Sequence, residues 1–306
     1  MVKKQEDKKN IEPFQEMEQL NLFFALDIQD VKFRDSSKNQ PIPNFSLQKK
    51  RQINKVEFVD ERTGNYFIVY PHQEFGQPTI WDYDILIFLI SLLNEGNKKG
   101  KPPPNDIYFI PYRLFLQCRW IKSTSRRTSG SLYKRLDEAL DRLSTTYNKT
   151  NIKTADNKTI ENRWHWITDI KKTTNSKGKV EGVQVRLCEW LYQLVIRKEN
   201  ILSISPEYFK IRSGIDRYLY RLLRKFLGSQ DFFEISFDRL FDYYPPGKDY
   251  SLFKRDIRKA IDRNGLPEMN MKLVKKTKKE YLLATLKDGA VLERRLPYSM
   301  REDGSC

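Results

Sequence analysis

Residues 128–152 read TSGSLYKRLDEALDRLSTTYNKTNI, a long amphipathic segment that runs directly into an alternating one. Leu132, Leu136, Ala139, Leu140 and Leu143 fall on one stripe at helical spacing, so the pattern predicts a helix from about Ser129 to Tyr147 with one face in a core. Working upstream, INKVEFVDERTGNYFIVYP holds two alternating runs around a Thr-Gly-Asn turn and reads as a hairpin. Thr79 is placed to cap a helix from Ile80 to about Asn94, which is apolar nearly all round and so predicts burial. A short strand, Ile107 to Ile110, leads to Pro111, which opens the helix YRLFLQCRW. Working downstream, NKTNIKT, then RWHWITDIKK and VEGVQVRL read as three strands separated by the turns ADNKT and NSKGK. Helix, strand, helix, helix and hairpin is the order of a winged helix, a helix-turn-helix variant with an added wing.

The same order returns in the second half. CEWLYQLVIRKEN reads as a bridging helix, and Gly214 to Leu227 as an amphipathic one, with Ile215, Tyr218, Leu219, Leu222, Leu223 and Phe226 on one face and Arg217, Arg221 and Arg224 opposite. Gly228 stands where a C-cap belongs. The strand DFFEIS, the short helix FDRLFDYY, the turn PPGKD, a helix from Tyr250 to Arg263 and a hairpin around TKKE complete the unit. The fold expected is therefore α+β, two tandem winged-helix domains behind a short polar tail. The divisions are a partly ordered tail over 1–50 with an apolar patch at LNLFFAL, a first unit over 51–187, a linker helix over 188–204, a second unit over 205–296 and a C-terminal tail over 297–306.

Composition narrows the chemistry. The chain has 306 residues, a size suited to two domains, and 13% aromatic residues, more than a disordered chain carries. Lys and Arg number 56 against 40 Asp and Glu, a formal charge of +16, which makes a polyanion the expected partner, nucleic acid before membrane surface. Three scattered cysteines fit neither a disulfide framework nor a zinc site and favour a reducing compartment. The charged start lacks the apolar core of a signal peptide, and the longest apolar run, 85–90, is far too short to span a bilayer, so a cytoplasmic location without membrane contact is expected. Two separated histidines, His72 and His165, make no metal-ligand spacing, and neither a phosphate-binding GxxxxGK[ST] loop nor a Gly-x-Ser-x-Gly elbow is present. No catalytic residue, metal or cofactor is expected.

The basic surplus is concentrated. No Asp or Glu occurs from Ile107 to Leu136, a stretch that carries Lys122, Arg126, Arg127, Lys134 and Arg135. A helix entering the major groove reads bases with its N-terminal residues, so Arg127, Ser131 and Lys134, which project opposite the apolar stripe ahead of Asp137, Glu138 and Asp141, are candidate contacts in the first unit. In the second, Lys248, Ser251, Arg255, Arg258 and Lys259 occupy the equivalent face, and the wing carries Lys275, Lys276, Lys278 and Lys279. Wing lysines suit phosphate, whereas a helix arginine can pair with guanine. The competing reading is a solvated face whose charge serves only solubility.

Several segments also resemble a family. NFSLQKK followed by PTIWDYDILIFLISLL, then TSGSLYKRLDEALDRLSTTYNKTNI, then LCEWLYQLVIRKENILSISPEYFKI and GIDRYLYRLLRKFLG are similar, in that order, to plasmid replication initiators of the replication initiator protein A type. The resemblance runs from about Asn44 to about Asp262. It implies tandem winged helices that bind repeated double-stranded origin sequences, with DNA contacts at Ser129, Ser131, Lys134 and Arg135 and at Ser251, Arg255, Arg258 and Lys259, and that help open the origin and engage host replication initiator or helicase machinery. It also implies self-association as a homodimer tied to control of the protein's own promoter, and no catalytic residue. A tandem winged-helix transcription regulator without a replication role would bind DNA by the same physics, and an interaction scaffold would be indifferent to salt.

Overall fold

The apolar run 85–90 forms the middle of helix α1 (Tyr83–Asn97) and is buried on every side, as a helix without a polar face must be. This computed structural model describes residues 34–36, 44–60, 64–97, 102–122, 124, 128–153, 159–197, 201–228, 230–245 and 249–287. The apolar patch at LNLFFAL and the C-terminal tail lie outside the described residues. The helical spiral starts at Thr79, whose carbonyl accepts from the N–H groups of Asp82 (2.9 Å) and Tyr83 (3.3 Å). Asp82 reaches back to the Thr79 N–H at 2.7 Å, so the start is held by a carboxylate at the fourth position of the turn.

Before α1 come strands β1 (Arg34–Ser36), β2 (Val56–Asp60) and β3 (Asn65–Tyr70). After it follow β4 (Asp106–Phe109), α2 (Pro111–Gln117), α3 (Gly130–Thr145), β5 (Tyr147–Lys153), β6 (Thr159–Trp164), β7 (Ile167–Thr174) and β8 (Val180–Leu187). The second half contributes α4 (Glu189–Ile196), β9 (Ile201–Ser203), a 3₁₀ turn (Pro206–Lys210), α5 (Gly214–Leu227), β10 (Phe232–Ser236), α6 (Phe237–Asp242), α7 (Tyr250–Arg263), β11 (Met269–Lys276) and β12 (Lys279–Leu286).

Two three-stranded antiparallel sheets share one plan. In the first half the order is β4-β8-β7, in the second β10-β12-β11, so the strand before each helix pair joins the second strand of the hairpin after it. RWHWITDIKK is not one strand, contrary to the sequence expectation. It divides at His165 and Trp166 into β6, which joins a four-stranded sheet β2-β3-β5-β6, and β7, which joins β4 and β8. Trp166 causes the step. Its side chain is fully buried, its N–H donates to the Leu143 carbonyl (3.1 Å), and its own carbonyl accepts from Cys188 (3.1 Å).

Arg217, Arg221 and Arg224, opposite the apolar face of α5 as the spacing predicts, are themselves buried, 3%, 3% and 1% exposed. Arg217 forms an ion pair with Asp84 of α1 at 2.5 Å, the Arg221 guanidinium lies 3.5 Å from the centre of the Tyr83 ring, and Arg224 donates to the Ser203 carbonyl and hydroxyl. The apolar face of α5 fills the core of the second unit, while Arg217 and Arg221 pack on α1 of the first and Arg224 on β9. The buried apolar residues of the two halves form one continuous cluster.

Residues 44–50, which the sequence assigns to the tail, belong to the folded body. Phe45 is 2% exposed, edge-on to Tyr83 at 4.7 Å. Ser46 donates its N–H to Pro78 and accepts from Ile80, both at 2.9 Å, and the Gln52 carbonyl accepts from Gln77 at 2.7 Å. The strap between these anchors crosses to the second unit at Gly214, where a Cβ would come 2.2 Å from the Leu47 carbonyl oxygen; only glycine fits.

Candidate nucleic-acid interface

The apolar stripe of α7 (Phe253, Ile257, Ala260 and Ile261) is buried, which turns the opposite side outward. Phe253 seats in a ring cluster with Phe237, Phe241 and Tyr244, so the orientation of the helix is fixed by aromatic packing. Asp249 caps the helix, accepting from the Ser251 and Leu252 N–H groups and from the Ser251 hydroxyl. Those bonds, the hydroxyl of Ser251 foremost, hold the Asp249 carboxyl below the usual carboxylate range. Ser251 is therefore engaged within the helix cap. Asn264 ends α7 in the left-handed conformation and fastens the hairpin by accepting from the Met271 N–H at 2.7 Å.

The cations of this unit are unequally free. Arg255 is more than half exposed and meets its neighbour Asp256 at 3.4 Å. Lys259 is exposed beside a cleft of about 570 Å³ between the units. Arg258 is bound to the hairpin β11–β12 by a fork on Glu280, with contacts at 2.6 and 2.7 Å. In that hairpin, Lys276 pairs with Glu234 (2.5 Å) and Lys279 approaches Asp238 (3.9 Å), while Lys275 and Lys278 are exposed. Lys248 lies outside the described residues.

In the first unit α3 buries Leu136, Ala139, Leu140 and Leu143, which leaves Lys134 outward with its side chain 80% exposed. Ser129 and Ser131 are exposed at the helix start, their hydroxyls 2.7 Å apart. Lys122 is exposed as well, whereas Arg126 and Arg127 lie outside the described residues. Arg135 turns inward: its guanidinium stacks 3.6 Å from the centre of the Trp120 ring. Burial pulls that guanidinium below the ordinary arginine value, against the attraction of Asp84 and Asp82. It is a packed cation, and the structure removes it from the outward set. The hairpin β7–β8 presents Lys177 and Lys179 to solvent at its turn. The sequence expectation omitted both, although NSKGK stands in the same place as TKKE. Lys172 of β7 ties this hairpin to α3 through Asp137 at 2.7 Å.

Beside α3 lies an open groove of about 1180 Å³ between the two units, lined by Lys49, Arg119, Arg135, Arg142 and Arg212 among its cations and by Trp81 and Trp120. Arg142 is neutralised there by a two-bond pairing with Asp82. Among the described residues no group of His, Cys, Asp and Glu is arranged to hold a metal ion, and no helix is long and apolar enough to cross a membrane.

A family model described as replication initiator protein A matches residues 34–271. A putative replication protein of Wigglesworthia glossinidia brevipalpis is 34% identical over 254 residues, covering 82% of this chain and 88% of that one. Among solved structures, domains 2 and 3 of RctB superpose with a TM-score of 0.59 at 11% identity, covering 82% of this chain and 98% of that one. A second structure of the same RctB domains gives 0.53 at 12% identity, covering 80% and 95%. The last two are likenesses of fold.

Proposed function

The chain belongs to the replication initiator protein A family, and from that membership we propose that it initiates plasmid replication by binding repeated origin sequences in duplex DNA through two winged helices. In this reading α3 and α7 enter successive major grooves, and the hairpins β7–β8 and β11–β12 are the wings. The observation that carries it is the repetition: each unit sets a helix against the same three-stranded sheet order, with Lys134 outward on α3 and Arg255 and Lys259 outward on α7. Lys134, Ser129 and Ser131 in the first unit, and Arg255 and Lys259 in the second, are the exposed side chains that would reach base edges, with Glu138 at 4.0 Å from Lys134 and Asp256 at 3.4 Å from Arg255 exchanged for DNA on binding. Lys122, Lys275 and Lys278 suit phosphate. Binding opens the origin and recruits the host initiator or helicase machinery, and a homodimer acts on the protein's own promoter. No bond chemistry, cofactor or metal enters this account, and the site of action is the cytoplasm.

The test is equilibrium binding to the DNA flanking the protein's own gene. With 6 to 10 phosphates engaged, affinity falls on the order of 10³-fold or more between about 50 and 200 mM salt, at a slope near −0.9 per contact. A flat salt response, or equal affinity for unrelated duplexes, overturns the reading.

A further inference from the structure

We propose that the strap carrying Lys49, Lys50 and Arg51 is a third contact for the phosphate backbone of duplex DNA, placed between the two reading helices. The inference rests on the DNA-binding reading above and adds an element outside both units' helices and wings.

The first argument is position. On one side the strap borders the groove lined by Arg135 and Arg142 of α3; on the other it borders the cleft lined by Lys259 and Arg263 of α7. A duplex seated on both helices has to cross the ground between them, and the strap occupies that ground.

The second argument is charge. Residues 48–51 are exposed, and among the described residues none of the three cations meets a carboxylate. Arg51 donates to the neutral carbonyl of Glu74 at 2.8 Å, and the Lys49 ammonium stands 5.2 Å from the centre of the Trp81 ring. The contrast with Arg258 on Glu280 and Lys276 on Glu234 is direct: those charges are met within the fold, and these are left for something outside. Three adjacent cations without a counter-charge repel one another, and a row of phosphates removes that cost. Ammonium groups act as point charges, so the contact carries affinity without base preference.

The third argument is preorganisation. Phe45 and Ser46 fix one end and Gln52 the other, so the cations stand on a backbone already ordered before DNA arrives. The groove adds an independent sign at the end of α2. There Arg119 has a φ of 55°, while the Arg119 and Trp120 N–H groups close onto Leu116 (3.2 Å) and Phe115 (2.8 Å). That is the helix-ending position glycine fills most easily, and here it holds an exposed arginine facing the groove.

The experiment uses the full chain, a labelled random-sequence duplex and a labelled single strand of the same sequence. Replacing Lys49→Ala, Lys50→Ala and Arg51→Ala together should lower the duplex salt slope by about 2 to 3, at ~0.9 for each lost phosphate contact, and weaken low-salt binding at least about tenfold. The charge-keeping set Lys49→Arg, Lys50→Arg and Arg51→Lys should restore both. The melting temperature should not move, because the side chains are exposed. Arg119→Gly should raise the melting temperature and lower the slope by about one. An unchanged duplex slope in the triple alanine variant, with Arg255→Ala still weakening the wild-type interaction, overturns the strap assignment alone. A slope that changes only on the single strand overturns the duplex assignment. A wild-type chain that binds neither probe overturns the DNA-binding reading and the strap with it.

Discussion

Arg217 carries its charge into a place where an unpaired charge could not stay. Its side chain is 4% exposed, and it meets Asp84, which is fully buried and also accepts from the Trp120 ring N–H at 3.2 Å. Burial pushes the Asp84 carboxyl up, and Arg217 with Trp120 draws it back toward the ionised form. Removing one partner leaves the other charge stranded, so Arg217→Ala should destabilise the fold by about 3–5 kcal/mol, read as a lower denaturant midpoint at similar slope. A loss below about 1 kcal/mol would mean the pair is open to water. Surface cations obey a different rule. Arg255→Ala should cost about 1–3 kcal/mol on the cognate repeat and relax base preference nearby, whereas Lys278→Ala should weaken all sequences alike and lower the salt slope by about one. Competition binding with cognate and scrambled duplexes separates the two; identical behaviour would contradict the division between helix and wing.

Within α3, three consecutive residues should give three outcomes. Lys134 is outward, Arg135 is stacked on Trp120, and Leu136 is 1% exposed in the core. Lys134→Ala should weaken DNA binding with less than about 0.5 kcal/mol change in stability. Leu136→Ala should cost about 2–5 kcal/mol, with any binding loss following the unfolded fraction. Arg135→Ala should lower the melting temperature and leave DNA contact intact. Thermal melts beside binding isotherms check all three, and a stable Arg135→Ala variant that no longer binds would return that residue to the outward set. The elements themselves were legible because local patterns specify them: the α3 stripe, Pro111 opening α2 and Gly228 closing α5 stand where spacing puts them. What was not legible depended on distant partners. RWHWITDIKK alternates along its length, and only the burial of Trp166 between α3 and Cys188 divides it between two sheets. The arginines of α5 lie opposite an apolar face, which locally means solvent; that a second unit presents Tyr83 and Asp84 to them is a tertiary fact. The stacking of Arg135 is a fact of the same kind, since the ring it lies on belongs to another segment.

At the scale of the whole molecule, α5 and the strap join the halves: the helix gives an apolar face to its own unit and Arg217 and Arg221 to the other, and the strap passes between them at Gly214. Apolar packing runs through both units without interruption. On this account the chain presents two reading helices together, so each bound copy should engage the duplex at two places. The direct measurement is hydroxyl-radical footprinting of the full chain on a single repeat from beside its gene, for the native protein and for Lys134→Ala and Arg255→Ala separately. The account predicts two protected patches for each bound chain, one fading with Lys134→Ala and the other with Arg255→Ala. A single patch, or both variants erasing the same one, would contradict it.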